Sequence, residues 1–158
     1  MQFMPDVVVN ERVYTSVYRH KVDEKRRVPI PFRWRPEASD ASMEFTLIVW
    51  PKHRAGKCLR VLPPDQLAKL RASIDAMPNN DPRKSILKRS IGTWSAQARL
   101  DSAGRITIPD EMAEAADITN EAVLAGMLDR FEIWSPKRYA QARILDDAHL
   151  SEAFDLME

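Results

Sequence analysis

Two short segments of the sequence place an aspartate four residues before an arginine. They run from Asp23 to Arg27 and from Asp101 to Arg105. The planar guanidinium of arginine presents a fork of N–H donors that matches phosphate oxygens and the O6/N7 edge of guanine. Because an aspartate repels a polyanion, its role in each segment is to orient the arginine or to cap the turn through backbone N–H groups. A second interpretation is that each pair only stabilises its own turn and contacts no ligand.

The basic residues of the chain are concentrated around the first segment. Residues 1–105 contain 20 Lys/Arg and 11 Asp/Glu, a net charge of +9, whereas residues 106–158 contain 4 Lys/Arg and 12 Asp/Glu, a net charge of −8. This asymmetry indicates a basic surface for a polyanion and an acidic region elsewhere, unless folding mixes the two halves and cancels it. The basic residues near the first segment are Arg19, His20, Lys21, Lys25, Arg26, Arg27, Arg33 and Arg35, and those near the second are Arg99 and Arg105.

The two segments belong to an internal repeat. Residues 22–31 align with residues 100–109 at an offset of 78, and residues 59–67 align with residues 131–139 at an offset of 72. The first copy is therefore six residues longer between its two blocks, and the surplus falls in the polar stretch 36–42. Two matching blocks in the same order indicate two tandem copies of one unit.

Each copy predicts the same order of elements. A strand ends near Val22 or Leu100, a polar turn follows, and a second strand alternates apolar and polar residues until a proline stops it. A hairpin comes next, with strands at 45–50 and 58–62 in the first copy and at 122–127 and 130–134 in the second. Prolines open helices predicted at about 64–77, 82–94, 109–116 and 136–147. One copy has too few apolar residues to bury its own sheet, so we expect both copies to share one core.

The second copy carries the pattern Asp101-x-x-Gly104-Arg105-Ile-x-Ile-Pro, which resembles the signature of the AbrB/SpoVT swapped-hairpin superfamily. Two copies in one chain, each followed by a hairpin that ends in a stretch such as residues 129–136, are similar to the MraZ family of bacterial transcriptional regulators. The resemblance covers residues 13–139. It implies an α+β fold, a pseudo-dimeric swapped-hairpin β-barrel formed by two tandem repeats, with peripheral helices.

The resemblance also implies a domain organisation. Residues 13–80 would form the first AbrB-like repeat with its following helix, and residues 81–95 a connecting helix. Residues 96–147 would form the second repeat with its following helix, and residues 148–158 an acidic C-terminal tail.

The activity implied by the resemblance is sequence-specific DNA binding. The protein would regulate division and cell-wall genes, as a repressor, by binding short direct repeats in double-stranded promoter DNA as a ring-like homo-oligomer. The residues expected to bind DNA are Arg27, Arg105, Lys25, Arg26, Lys21 and Arg99, and those expected to support the motif are Asp23, Asp101 and Gly104.

The first copy departs from this pattern at one position. Arg26 stands where the second copy has Gly104. Glycine suits a turn that requires a positive φ, and an arginine in that conformation would be strained. Either Arg26 carries such strain or the first turn has another shape.

Other basic and aromatic residues permit weaker interpretations. The basic face of the predicted helix 82–94 could follow phosphates, or it could simply be solvated. Arg33-Trp34-Arg35 could stack on a base, or Trp34 could pack against the barrel.

Two further classes of function are alternatives: a protein-interaction module and an enzyme. A protein-interaction module of the antitoxin type would use the acidic C-terminal third to bind a partner. An enzyme would need a site that the sequence does not offer, since it has no phosphate-binding glycine loop, no Gly-x-Ser-x-Gly and no His-Glu-x-x-His. We expect no catalytic residue, no metal site, no cofactor and no small-molecule substrate. The absence of an apolar membrane span and of a signal peptide predicts a cytoplasmic protein, and the DNA binding that the resemblance implies would place it on the nucleoid.

Overall fold

Antiparallel pairing organises the strands in the part of the chain that the structure describes. This computed structural model describes residues 12–37 and 43–157. The first eleven residues, where the sequence predicts no signal peptide, lie outside the described residues. Most of the predicted polar insertion, residues 38–42, and the last residue of the acidic tail also lie outside them. The architecture is α+β, as the sequence predicts.

Within residues 12–37 and 43–157, eight strands form two sheets. A six-stranded sheet has the order β1-β7-β8-β4-β3-β5, and β2 and β6 form a separate two-stranded ribbon. The strands are β1 (Val17–Lys21), β2 (Arg27–Pro29), β3 (Phe45–Trp50), β4 (Cys58–Leu62), β5 (Ser95–Ala98), β6 (Arg105–Thr107), β7 (Glu121–Gly126) and β8 (Phe131–Trp134). The two hairpins predicted from the sequence are confirmed as β3–β4 and β7–β8.

The described part of the chain also contains five α-helices. They are α1 (Pro64–Asp75), α2 (Pro82–Thr93), α3 (Asp110–Ala115), α4 (Pro136–Asp147) and α5 (Leu150–Phe154). Short 3-10 helices cover Phe32–Trp34 and Asp155–Met157. Proline opens α1, α2 and α4 because its missing N–H is not needed in the first turn. The four predicted helices are confirmed, with ends that differ by one or two residues.

The remaining strand pairs join residues that are distant in the sequence. β1 pairs with β7, β5 pairs with β3, and β4 pairs with β8 in the middle of the six-stranded sheet. In the ribbon, Val28 lies opposite Ile106. The first strand of each sequence half therefore pairs with the hairpin of the other half, and neither half completes a sheet alone.

The main core lies between the six-stranded sheet and the ribbon. Val28 and Ile106 of the ribbon are fully buried, and so are Leu59 and Ile133 in the middle of the sheet. A smaller apolar cluster lies around Cys58, Trp134 and Ala142 of α4. Because both sequence halves supply the main core, burial of apolar surface stabilises them together.

An aromatic contact fixes the segment that follows the ribbon. Trp34 is fully buried, and its ring centroid lies 4.8 Å from that of Phe131. Its indole N–H donates to the Thr15 carbonyl at 3.1 Å, so the polar atom of the ring is also satisfied. Of the two interpretations that the sequence permits for Trp34, packing is confirmed and base stacking is wrong, because the ring lies in the core. The packing anchors the 3-10 helix and positions the next residue, Arg35.

Helix α2 differs from α1, α3 and α4, each of which has at least one buried residue. None of its residues is buried, although Leu87 and Ile91 are half-buried. Ile86 is 55% exposed and Trp94, the residue after the helix, is 41% exposed. The apolar residues of this helix are therefore not part of the core. Among the described residues, no helix has the length and apolar character needed to cross a membrane.

Candidate nucleic-acid interface

The β2–β6 ribbon brings the two Asp-x-x-x-Arg turns side by side. In its register, Pro29 lies opposite Arg105 and Arg27 lies opposite Thr107. Hydrogen bonds from each turn to the other sequence half extend the ribbon. The Ile108 N–H donates to the Arg26 carbonyl at 2.8 Å, and the Ile30 N–H donates to the Gly104 carbonyl at 2.9 Å. Each turn is thus held by the other half of the chain.

Asp23 organises the first turn with both carboxylate oxygens. Oδ1 accepts from the backbone N–H groups of Lys25 at 3.0 Å and Arg27 at 2.8 Å. Oδ2 accepts from Arg27 Nε at 2.7 Å. The carboxylate therefore fixes the backbone of the turn and the direction of the arginine side chain together, a short charge-assisted contact.

Asp101 makes the same contacts in the second turn. Oδ1 accepts from the backbone N–H groups of Ala103 and Arg105, both at 2.9 Å, and Oδ2 accepts from Arg105 Nε at 2.9 Å. Donation from the arginine backbone N–H is the main reason that the pKa values of Asp23 and Asp101 are lowered. Both aspartates are therefore ionised at neutral pH, and both arginine side chains are oriented before any ligand arrives.

The two turns also share an unusual backbone conformation. φ is +61° at Arg26 and +77° at Gly104, the two positions that the repeat aligns. Glycine adopts this conformation readily, whereas a side chain there costs roughly 1–2 kcal/mol. Of the two possibilities left by the sequence, the first is confirmed: the first turn has the same shape and Arg26 carries the strain.

A cleft of about 500 Å³ lies where the turns meet. It is lined by Lys21, Val22, Asp23, Arg27, Pro29, Arg105, Asn120 and Glu121. Arg105 Nη1 lies 3.9 Å from Asp23 Oδ2, so the two motifs are in direct electrostatic contact. Glu121 is bound by Arg19 through two N–H groups at 3.0 and 3.3 Å, and this pairing lowers its pKa. The negative charges at the cleft are thus each matched by an arginine, and Lys21 adds positive charge.

The structure brings some of the predicted residues together and separates others. Arg27, Arg105 and Lys21 line the cleft, whereas Lys25 is exposed in the first turn. Arg26 points to the second half, where Nε donates to Asp110 at 3.2 Å and Nη1 donates to the Ile118 carbonyl at 3.0 Å. Arg99 lies outside the cleft lining, 3.9 Å from Glu44.

Arg35 is the functional candidate that the sequence argument misplaced. It was grouped with the first turn because it is close to it in sequence. The structure instead places its guanidinium over Gly104 of the second turn, where a Cβ would lie 2.7 Å from Arg35 Nε. Arg35 Nε donates to the Ile30 carbonyl at 2.8 Å. A signal is present in the repeat at an offset of 78. The first copy has arginine at both 26 and 35, whereas the aligned positions of the second copy, 104 and 113, are glycine and alanine.

Other reactive groups do not form a second site. Cys58 is buried, and burial raises the pKa of its thiol, which disfavours the nucleophilic thiolate. Within residues 12–37 and 43–157, no group of three or more His, Cys, Asp or Glu side chains is arranged to hold a metal ion.

Comparisons with known proteins identify the family. A family model described as "MraZ protein, putative antitoxin-like" matches residues 95–154. A protein of Roseiflexus castenholzii named transcriptional regulator MraZ is 32% identical over 139 residues, covering 88% of this chain and 92% of that protein. Proteins of the same name from Desulfitobacterium hafniense and Caulobacter vibrioides are each 30% identical, covering 92% and 83% of this chain and 97% and 82% of their own lengths. The chain belongs to the MraZ family of transcriptional regulators.

Proposed function

We propose that the chain is a sequence-specific DNA-binding regulator that reads promoter DNA with its two Asp-x-x-x-Arg turns. The observation that carries this proposal is the joint placement of Arg27 and Arg105 beside one cleft, each oriented by its own aspartate. Arginine side chains oriented in advance lose less conformational entropy when they meet a rigid duplex. A guanidinium also keeps free N–H donors after its Nε has bound an aspartate, so each arginine can still bind a base edge or a phosphate.

The surrounding basic residues differ in how directly they would contact DNA. Lys21 and Lys25 supply phosphate contacts beside Arg27, and Arg35 supplies one beside Arg105. Arg26 and Arg99 act at the periphery, because neither lines the cleft: Arg26 points to Asp110 and Arg99 lies near Glu44. Asp23 and Asp101 orient the arginines, and Gly104 leaves the space that Arg35 occupies.

We propose that the fold is a pseudo-dimeric β-barrel in which the hairpins of the two tandem repeats are swapped. The pairing of β1 with β7 and of β5 with β3 supports it, because each first strand completes the other half. The registers Val28–Ile106 and Arg60–Glu132 support it as well, since both join positions that the repeat aligns. In this interpretation residues 13–80 and 96–147 are the repeats, 81–95 the connecting helix and 148–158 the tail.

We further propose that protomers assemble into a ring and bind successive direct repeats as a repressor of division and cell-wall genes on the nucleoid. Linked readers gain affinity through effective concentration, which a single small reader needs against many competing genomic sites. A ring of identical orientations would present its turns in the same sense along the duplex.

The proposal is tested by binding to promoter fragments from the division and cell-wall region, measured by fluorescence anisotropy at two salt concentrations. Arg27→Ala and Arg105→Ala should each weaken binding by about 1–3 kcal/mol if the arginines read bases. Arg54→Ala is the matched control, because it removes the same charge from an exposed residue that does not line the cleft. Arg54 lies in the loop that follows β3. Equal weakening by all three variants, or no binding by the unaltered protein, would reject the proposed site.

A further inference from the structure

Helix α2 presents a basic surface with apolar residues that the chain itself leaves uncovered. Its charged residues are all basic: Arg83, Lys84, Lys88 and Arg89. Two of them have local roles, since Arg83 binds Asp81, and Lys84 Nζ donates to the Met77 carbonyl at the end of α1. Lys88 is 4.0 Å from Asp75 and 59% exposed, and Arg89 has no side-chain partner among the described residues. The exposed side chain of Arg89, and that of Lys88 beyond its long contact with Asp75, can therefore contact another surface.

The C-terminal segment Leu150–Met157 has the opposite character. It is acidic, with Glu152 and Asp155, and no lysine or arginine follows Arg143 in the sequence. Its apolar side chains are exposed, among them Phe154 at 65% and Leu156 at 88%. None of the residues in α5 is buried. A helix of five residues is marginal on its own backbone hydrogen bonds, so packing against another surface would stabilise it.

We propose that the segment Leu150–Met157 of one protomer docks on helix α2 of a second copy of this chain. The two surfaces have opposite charge, and both expose apolar side chains, with Ile86 and Trp94 on or next to α2 facing Phe154 and Leu156 of the segment. Such pairing buries apolar area while Lys88 and Arg89 meet Glu152 and Asp155 at the rim. A membrane or a DNA duplex would account for the basic surface alone, whereas a second copy accounts for both.

This interface would be head-to-tail, because the two docking surfaces are different parts of the chain. Head-to-tail interfaces build closed rings or open filaments rather than two-fold dimers. The inference thus rests on the proposed self-assembly and assigns its contact surface. It places the contacts on the outer helices, apart from the turns that carry Arg27 and Arg105.

The test uses charge reversal and light scattering of the full chain without DNA. One variant reverses α2 by Lys88→Glu and Arg89→Glu, and the other reverses the segment by Glu152→Lys and Asp155→Lys. We expect the unaltered protein to have several times its monomer mass of 18.1 kDa, and each variant alone to fall toward the monomer. An equimolar mixture of the two variants should recover a large assembly, because every reversed helix then meets a reversed segment of the other variant.

The mixture also separates the rival explanations. If the segment docks on α2 of its own chain, mixing restores nothing, and the inference fails. It fails equally if the unaltered protein is a monomer, or if either variant assembles like the unaltered protein. Lys52→Glu with Arg54→Glu is the matched control, since it makes the same charge change in an exposed loop and should leave the assembly intact.

DNA binding distinguishes a failure of this interface from a failure of the proposed function. On a duplex with one binding box, the α2-reversed variant should bind within about twofold of the Lys52/Arg54 control, because its turns are unchanged. Loss of assembly with retained single-box binding supports the interface. Single-box affinity well below that of the control would assign α2 to DNA contact and overturn the inference.

Discussion

The guanidinium of Arg35 occupies the space above Gly104 that a side chain at position 104 would need. The repeat aligns Gly104 with Arg26 and aligns Arg35 with Ala113. Each turn therefore has one arginine beyond its motif, supplied by the turn itself in the first case and by the residue that follows the 3-10 helix in the second. Because Arg35 fills the space above position 104, the second turn requires glycine there. The first turn holds the Arg26 side chain at the aligned position, also at a positive φ.

This relationship predicts a coupling between positions 35 and 104. Gly104→Arg should destabilise the protein by more than about 1 kcal/mol, because it adds strain at a positive φ and collides with Arg35. Adding Arg35→Ala should recover part of the lost stability, since it removes the guanidinium that collides with the new side chain. Urea denaturation of the four proteins in the cycle measures the coupling. Arg33→Ala is the control, and an equal recovery with it would show that the contact is unimportant.

The first turn offers the complementary experiment. Arg26→Gly relieves the strain at φ +61° but loses the bonds to Asp110 and the Ile118 carbonyl, whereas Arg26→Ala loses the same bonds and keeps the strain. We therefore expect the alanine variant to be less stable than the glycine variant by about 1 kcal/mol. Thermal or denaturant unfolding of both variants gives the difference directly. An alanine variant as stable as the glycine variant would mean that the turn relaxes to another conformation.

Local sequence patterns predicted the elements of this fold well. Prolines at 64, 82 and 136 marked three helix starts correctly, and the alternation of apolar residues marked both hairpins. These signals are local, because a missing N–H or a two-residue period acts on adjacent residues. The contacts within each turn were similarly readable, since an aspartate has few other partners within its reach.

Long-range placement was not available from the same patterns. Nothing in the residues of β2 specifies that β6 is its partner, because any half-buried strand offers the same backbone groups. Arg35 illustrates the consequence: its sequence neighbours belong to the first turn, but burial of Trp34 directs the chain to the second. The sequence of α2 has an apolar face and a basic face. This periodicity does not show whether the surface that covers the apolar face lies in the same chain.

The aspartates of the two turns give a prediction in which geometry and net charge disagree. Asp23→Ala and Asp101→Ala should each weaken DNA binding several-fold, because Arg27 and Arg105 lose the bonds that orient them. Electrostatics alone predicts tighter binding, since each change removes a negative charge. Glu24→Ala removes the same charge from an exposed neighbour of Asp23 and should not weaken binding. Tighter binding by both aspartate variants, with the fold intact, would contradict the orienting role.

The same carboxylates set a limit on the acid stability of the fold. Their pKa values in the folded protein are below the usual 3.8, so the ionised forms stabilise the fold above that pH. That stabilisation is lost as the pH falls through the lowered values. We expect the double variant Asp23→Asn/Asp101→Asn to be less stable than the unaltered protein at about pH 7, with a difference that shrinks below about pH 4. Urea midpoints across this range test it, and a difference that grows toward acid pH would show the opposite sign.

Spacing of the DNA boxes tests whether the readers of neighbouring protomers act together. If protomers bind direct repeats from one side of the duplex, adjacent boxes must recur after about one helical turn, near 10 bp. Inserting about 5 bp between two boxes turns the second box to the far side and should lower the affinity to that of a single box. Inserting about 10 bp restores the facing and should recover part of the affinity, while inverting one box should reduce it because the protomers share one orientation. Anisotropy titrations of these duplexes at constant salt give the comparison, with the α2-reversed variant as the control that cannot link its readers. If the unaltered protein binds all four duplexes equally, its turns act independently, and DNA binding does not depend on the ring.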